Sequence, residues 1–240
     1  MWTKPYGMKE GFLIGVGLIF AMGETRLWYS FFLPLAGIIV YSRWKYKWIL
    51  SFSTVLALVF ICINLFKPEI HSKTLMPALQ SPWFAPHVIV YMFAYAVFGV
   101  TTLMALWMLI KSKSEANSCV PSVASEQSSS ASLFTFHSSL SSLDDLVYVG
   151  LAFMTIGMLF GALWAKEAWG HYWSWDPKET WAAITWFAYL VYVHYRQIPT
   201  HKPRLALWVL LISFVLLQMC WWGINYLPAA QGSSVHVYSM

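Results

Sequence analysis

Seven apolar runs, at about residues 11–23, 27–42, 48–66, 87–110, 146–165, 181–196 and 205–226, divide this 240-residue chain and leave it few ways to fold. In hydrocarbon every backbone N–H and C=O must find its partner within the segment itself, so apolar runs approaching the ~17–25 residues of a full span become helices. The chain is 59% hydrophobic and 10% charged with a mean hydropathy of +0.57, a balance that excludes a soluble domain of this size. The expected architecture is an all-α, polytopic integral membrane helical bundle of about six to seven transmembrane helices. The first two runs are short and separated by Glu24-Thr25-Arg26, which suits tilted, extended or re-entrant segments. The start of the chain shows no signal-peptide cleavage pattern.

Charge then orients the runs. The net charge of +5 could suggest a nucleic-acid partner, but the basic residues fall at helix ends rather than on one patch, so no nucleic acid is expected. Arg43, Lys45 and Lys47 share one connection, Lys111 and Lys113 open the next but one, and Arg196, Lys202 and Arg204 occupy the last. These alternate loops belong on the inner side of the membrane. The Lys67–Pro86 connection, the Trp169 stretch and the tail after Leu227 then face outward, together with the C-terminus. Serine dominates Lys111–Asp145, which reads as a disordered inner loop. The chain therefore divides into N-terminal membrane helices with an outer loop reaching His87 (1–110), the serine-rich inner loop (111–145) and a second membrane domain with an external tail carrying His236 (146–240). Cys62, Cys119 and Cys220 have no CxxC spacing, which argues against thiol-redox chemistry.

The stretch Trp169–Trp181, WGHYWSWDPKETW, carries the chemistry. Each indole has a flat apolar face and one N–H donor, so a cluster at a membrane surface makes a shelf for a flat amphipathic ligand such as haem. Any single tryptophan here could be an interfacial anchor. The ordered string asks for more, because Asp176 and Pro177 specify a turn and a capped helix start. Gly157 and Gly161 have the spacing that lets helices approach closely, for which packing is a sufficient reason.

The longer run AKEAWGHYWSWDPKETWAAITWFAYLVYVHYR, Ala165 to Arg196, resembles the tryptophan-rich (WWD) signature of the haem-handling proteins of cytochrome c biogenesis. Three relatives share a Trp-Asp core, the CcmC, CcmF and CcsA (ResC) types. Pro177-Lys178-Glu179-Thr180-Trp181 and the ending Tyr192-Val193-His194-Tyr195-Arg196 are similar to the CcsA pattern. The resemblance covers roughly Pro77 to Asn225 and implies haem b as substrate, held by pairs of histidines. Pro77-Ala78-Leu79-Gln80-Ser81 resembles the segment before one external haem-ligating histidine, which makes His87 the outer ligand. His236 stands where the family has the second outer ligand, and His194 where it has one embedded in the membrane, so the three would meet haem iron.

The same resemblance implies cofactor-binding roles for Trp169, Gly170, Trp173, Trp175, Asp176, Pro177, Glu179 and Trp181. On the residues alone Asp176 and Glu179 read equally as helix capping and polar satisfaction. Counting down the helix from Trp181, His194 lies roughly 20 Å below the shelf, so it would serve a different haem from His87 and His236. The implied activity is a holocytochrome c synthase: haem delivered to the outer face and joined by thioether bonds to the Cys-x-x-Cys-His motif of apocytochrome c, beside a CcsB or ResB type membrane partner. The substrate supplies the thiols, so no catalytic nucleophile is expected in this chain. The implied setting is the bacterial cytoplasmic membrane in preference to the thylakoid. Two alternatives stay open, a CcmC-type haem exporter without ligation and a b-type haem electron-transfer protein.

Overall fold

The computed structural model describes residues 25–66, 81–117 and 125–227. The first apolar run, most of the connection before His87 and the tail with His236 lie outside them. The described residues form six α-helices: α1 Thr25–Trp44, α2 Lys47–Phe66, α3 Phe84–Asn117, α4 Ser125–Trp169, α5 Pro177–Gln197 and α6 Pro203–Trp221, with a closing 3-10 turn at Gly223–Tyr226. No strand occurs among them. Three segments are long and apolar enough to cross a membrane, Phe84–Ser112, Phe136–Trp169 and Pro203–Trp221, and Lys47–Ile63 is a shorter apolar helix. The all-helical membrane bundle expected from hydropathy is what the chain forms.

The serine-rich stretch differs from its expectation. α3 continues to Asn117 and α4 begins at Ser125, so the described part of 111–145 is helical rather than a disordered loop. Its inner residues pack, too: Leu140, Leu143, Ser139 and Ser142 are buried, and Tyr46 and Ser139 share a 2.9 Å hydroxyl hydrogen bond. Serine composition signals disorder only while nothing nearby needs a small residue. Here serine hydroxyls fold back on their own helix, as Ser142 Oγ does on Ser138 O, and let α4 lie close to its neighbours. At 45 residues and ~1.5 Å each, α4 runs roughly 68 Å, about twice the hydrocarbon thickness.

α3 is the central helix. It touches α1, α2, α4 and α6, and 72% of its apolar window is buried, against 28% for α4 and 33% for α6. Lipid is as apolar as leucine, so close approach and not water exclusion holds such helices together. α4 supplies the approach with one row of glycines. A Cβ at Gly150 would meet the Phe98 ring at 2.7 Å, at Gly157 the Tyr91 ring at 2.3 Å, and at Gly161 the His87 ring at 2.8 Å. Four residues forward on α3, from His87 to Tyr91, match four back on α4, and seven more to Phe98 match seven back to Gly150. That register makes the pair antiparallel, with α3 rings seated on α4 backbone. On α6 the buried residues Ala206, Leu207, Leu210, Ser213, Leu217 and Cys220 recur at helical spacing and make one face.

Candidate functional site

One end of the bundle gathers the start of α3, the end of α4 and the start of α5. His87 stands in the first turn of α3, half-buried. Its Nδ1 lies 2.8 Å from the carbonyl oxygen of Gly157. A carbonyl only accepts, so Nδ1 carries the hydrogen and, in the neutral ring, Nε2 carries the lone pair. Fixing one nitrogen on a backbone carbonyl to present the other is how proteins prepare imidazole for a metal. The ring is held on its faces as well, stacked on Trp164 at 5.6 Å and against Tyr91 at 4.8 Å. Gly161 provides the space, since any side chain there would enter the imidazole.

Trp164, buried at 4% exposure, links this histidine to the tryptophan stretch by packing edge-on against Trp169 at 4.9 Å. α4 ends there through Gly170, whose φ of +86° is a left-handed conformation that L side chains resist. Its N–H donates to Lys166 O, and the Lys166 Nζ returns to Gly170 O at 2.8 Å. Lys166 is thus engaged with the turn and with the Tyr172 ring, 5.3 Å away.

The next turn exposes its aromatic residues while burying its carboxylates. Trp175 is 71% exposed with φ +59°, and Trp173 packs edge-on against it at 5.8 Å. Asp176 and Glu179 are buried. Asp176 Oδ1 accepts from Lys178 N at 3.0 Å, and Glu179 Oε2 accepts from the backbone N–H groups of Asp176 and Ser174 at 3.2 and 2.8 Å. With Pro177 at the first helical position this is a complete capping box, so WDPKET reads as a helix-start sequence that follows directly on Trp173 and Trp175. Trp173 Nε1 is buried and has no hydrogen-bond partner among the described residues. Trp181 lies half-buried in the first turns of α5.

A second contact ties the two halves of this end. Ser81 Oγ donates to Glu167 Oε2 of α4 and accepts from Trp83 N at 3.3 Å, fixing the start of α3 against the end of α4. Sequence reasoning quoted Ser81 and Glu167 only within longer segments and gave them no role, and it left out Trp164, because nothing at local spacing connects them. The glycine pair carried a signal of close helix approach, but that Gly161 faces His87 follows from the register of α3 on α4.

His194 is elsewhere. α5 is unbroken from Pro177 to Gln197, so the thirteen residues between Trp181 and His194 separate them by roughly 20 Å. His194 is exposed on the outside of the bundle, with Nδ1 2.8 Å from Leu190 O one turn back, which again leaves the lone pair on Nε2. His171 is exposed on the turn, and His236 lies outside the described residues. His201, in the turn between α5 and α6, faces the Arg196 guanidinium. No group of three or more His, Cys, Asp or Glu side chains that could hold a bare metal ion occurs among the described residues. The end with the tryptophan turn offers the imidazole of His87, indoles and a buried indole N–H without a partner among the described residues, a donor set that suits a planar iron macrocycle.

The cytochrome C assembly protein family model matches residues 18–230. A cytochrome c biogenesis protein CcsA from Guillardia theta is 37% identical over 179 residues, covering 68% of this chain and 56% of that protein. One from Parasynechococcus marenigrum (strain WH8102) is 38% identical over 179 residues, with 68% and 57% covered. One from Chlamydomonas reinhardtii is 33% identical over 183 residues, with 75% and 47% covered. The chain spans about half the length of the curated relatives it matches.

Proposed function

The chain belongs to the cytochrome c assembly protein family, in its CcsA type, and from that premise we propose that it presents haem at the outer membrane face for covalent attachment to apocytochrome c. The observation that carries this reading is the cradle of His87: Nδ1 tied to Gly157 O, ring stacked on Trp164, next to an exposed tryptophan turn with an orphan indole donor. Haem is the substrate, and its iron takes His87 on one side and His236 on the other. The indoles of Trp169, Trp173, Trp175 and Trp181 line the macrocycle. Gly170, Asp176, Pro177 and Glu179 act by shaping the turn that carries them, because a carboxylate buried in a cap is spent on backbone N–H groups.

In the attachment step each apocytochrome thiol adds across a haem vinyl group. One S–C bond forms, and the thiol hydrogen passes to the other vinyl carbon with no net oxidation. The chain contributes position and iron ligation, and the substrate contributes the nucleophiles. His194 serves a second haem level within the membrane, its other axial ligand coming from a ResB-like partner. The exposed face of His194 and its separation from the outer turn support two levels.

The test is a Cys-x-x-Cys-His reporter made with this chain and its partner. His87→Gly abolishes covalent haem on the reporter, and added imidazole restores part of it by occupying the vacated position. Normal maturation by His87→Gly sinks the ligand assignment. Haem bound but never attached, in the wild type as well, favours an exporter. Retention of haem also falls below about pH 6, since a ligating imidazole must be neutral and its ordinary pKa is ~6.5.

A further inference from the structure

α5 shows two opposite faces. Glu179, Ala182, Thr185, Tyr189, Tyr192 and Val193 are buried. Ile184, Phe187 and Val191 are exposed, and His194 continues their spacing toward Ile198 just past the helix. Which face receives His194 depends on the rotation of the helix about its axis. At its middle that rotation is held by Trp186 Nε1 donating to Thr155 Oγ1 at 2.9 Å and by Tyr189 stacked on Phe98 at 3.7 Å.

At the His194 end the hold is ionic. Asp144 of α4 accepts from the Tyr192 hydroxyl at 2.6 Å and takes the Arg196 guanidinium side-on, Nε at 2.9 and 3.1 Å and Nη2 at 2.6 Å. The two side chains of the pair keep only 14% and 18% of their surface. Arg196 is held from beyond the helix too, because His201 donates Nδ1 to Ile198 O and turns the lone pair of Nε2 toward the guanidinium. Tyr192 and Arg196 are one turn apart and share a face, whereas His194, two residues from each, falls ~160–200° around the helix. A clamp on 192 and 196 therefore aims 194 away from the bundle.

We propose that Asp144 is a positioning residue for His194: by holding Tyr192 and Arg196 it sets the rotation of α5 that presents the imidazole outward. This rests on the reading of His194 as a haem ligand, yet the orientation is measurable without haem. In the chain made without its partner and freed of Cys62, Cys119 and Cys220, nitroxide labels at His194→Cys and Val193→Cys report oxygen accessibility. With Asp144 present, position 194 is accessible and 193 is shielded. Asp144→Ala collapses that contrast, and Asp144→Glu recovers it. In the unlabelled protein co-expressed with its partner, Asp144→Ala loses the His194-dependent haem absorbance and Asp144→Glu regains it. An unchanged contrast in Asp144→Ala overturns the proposal. A collapsed contrast with the haem signal intact leaves the clamp standing and removes His194 as the ligand. If Asp144→Ala does not accumulate, Arg196→Lys keeps the charge but loses the side-on pair, and the same two readings decide.

Discussion

The two ends of α4 and α5 treat a histidine in opposite ways. At the end with the tryptophan turn His87 donates Nδ1 to a carbonyl on another helix, its ring enclosed by Trp164, Tyr91 and a glycine row. At the opposite end His194 donates Nδ1 to its own helix and stands exposed, its direction set by a clamp on the far side of α5. Both rings are anchored through Nδ1, but the first is oriented by contact and the second by rotation. Enclosure ties a ligand to one geometry. An exposed ring on a fixed helix leaves room for a second surface to complete its site.

The largest effect that separates the ends comes from closing the cradle. Gly161→Leu places atoms within the His87 ring, which Gly157 and Trp164 keep from retreating. Overpacking costs ~1–3 kcal/mol, and the ~0.8–1 kcal/mol of helix propensity gained over glycine does not offset it. The expected outcome is loss of reporter haem attachment together with a lower thermal midpoint; a variant that matures cytochrome normally shows that His87 needs no cradle.

Next is the cap. Asp176→Ala removes the acceptor of Lys178 N and costs about 1 kcal/mol. Because Glu179 still holds Ser174 and Asp176 N–H, the turn loosens without opening. Tryptophan fluorescence of the purified protein should show greater quencher access, with haem attachment reduced rather than lost. Unchanged quenching would mean that the indoles are positioned by something other than the capping box.

The smallest effect sharpens the contrast. His194→Ala removes an exposed ring that, among the described residues, hydrogen-bonds to its own helix, so stability changes by less than ~0.5 kcal/mol in the chain alone. The loss should appear instead as missing haem at the membrane level when the partner is present. A large fall in thermal midpoint for the isolated chain would show that the ring packs within it.

Much of the bundle was legible because its determinants are local. Apolar runs at 27–42, 48–66, 87–110, 146–165, 181–196 and 205–226 became six helices, since segmental length and hydropathy suffice to satisfy a backbone in lipid. The helix start at Asp176-Pro177 was equally legible, for capping involves neighbours three residues apart. The serine-rich stretch misled because composition reports the intrinsic tendency of a segment and not the contacts of Leu140, Leu143 and Asp144.

By itself the sequence determined an all-helical membrane chain, the tryptophan turn and the residue types available to bind iron. Tertiary structure alone decided what each histidine does with them. The glycine row matters only when α3 lies antiparallel on α4 in one register, and Asp144 matters only when α4 brings it to Arg196, fifty-two residues away in sequence. Direction at a site is a relation between helices, and a relation between helices has no local signature for a single sequence to carry.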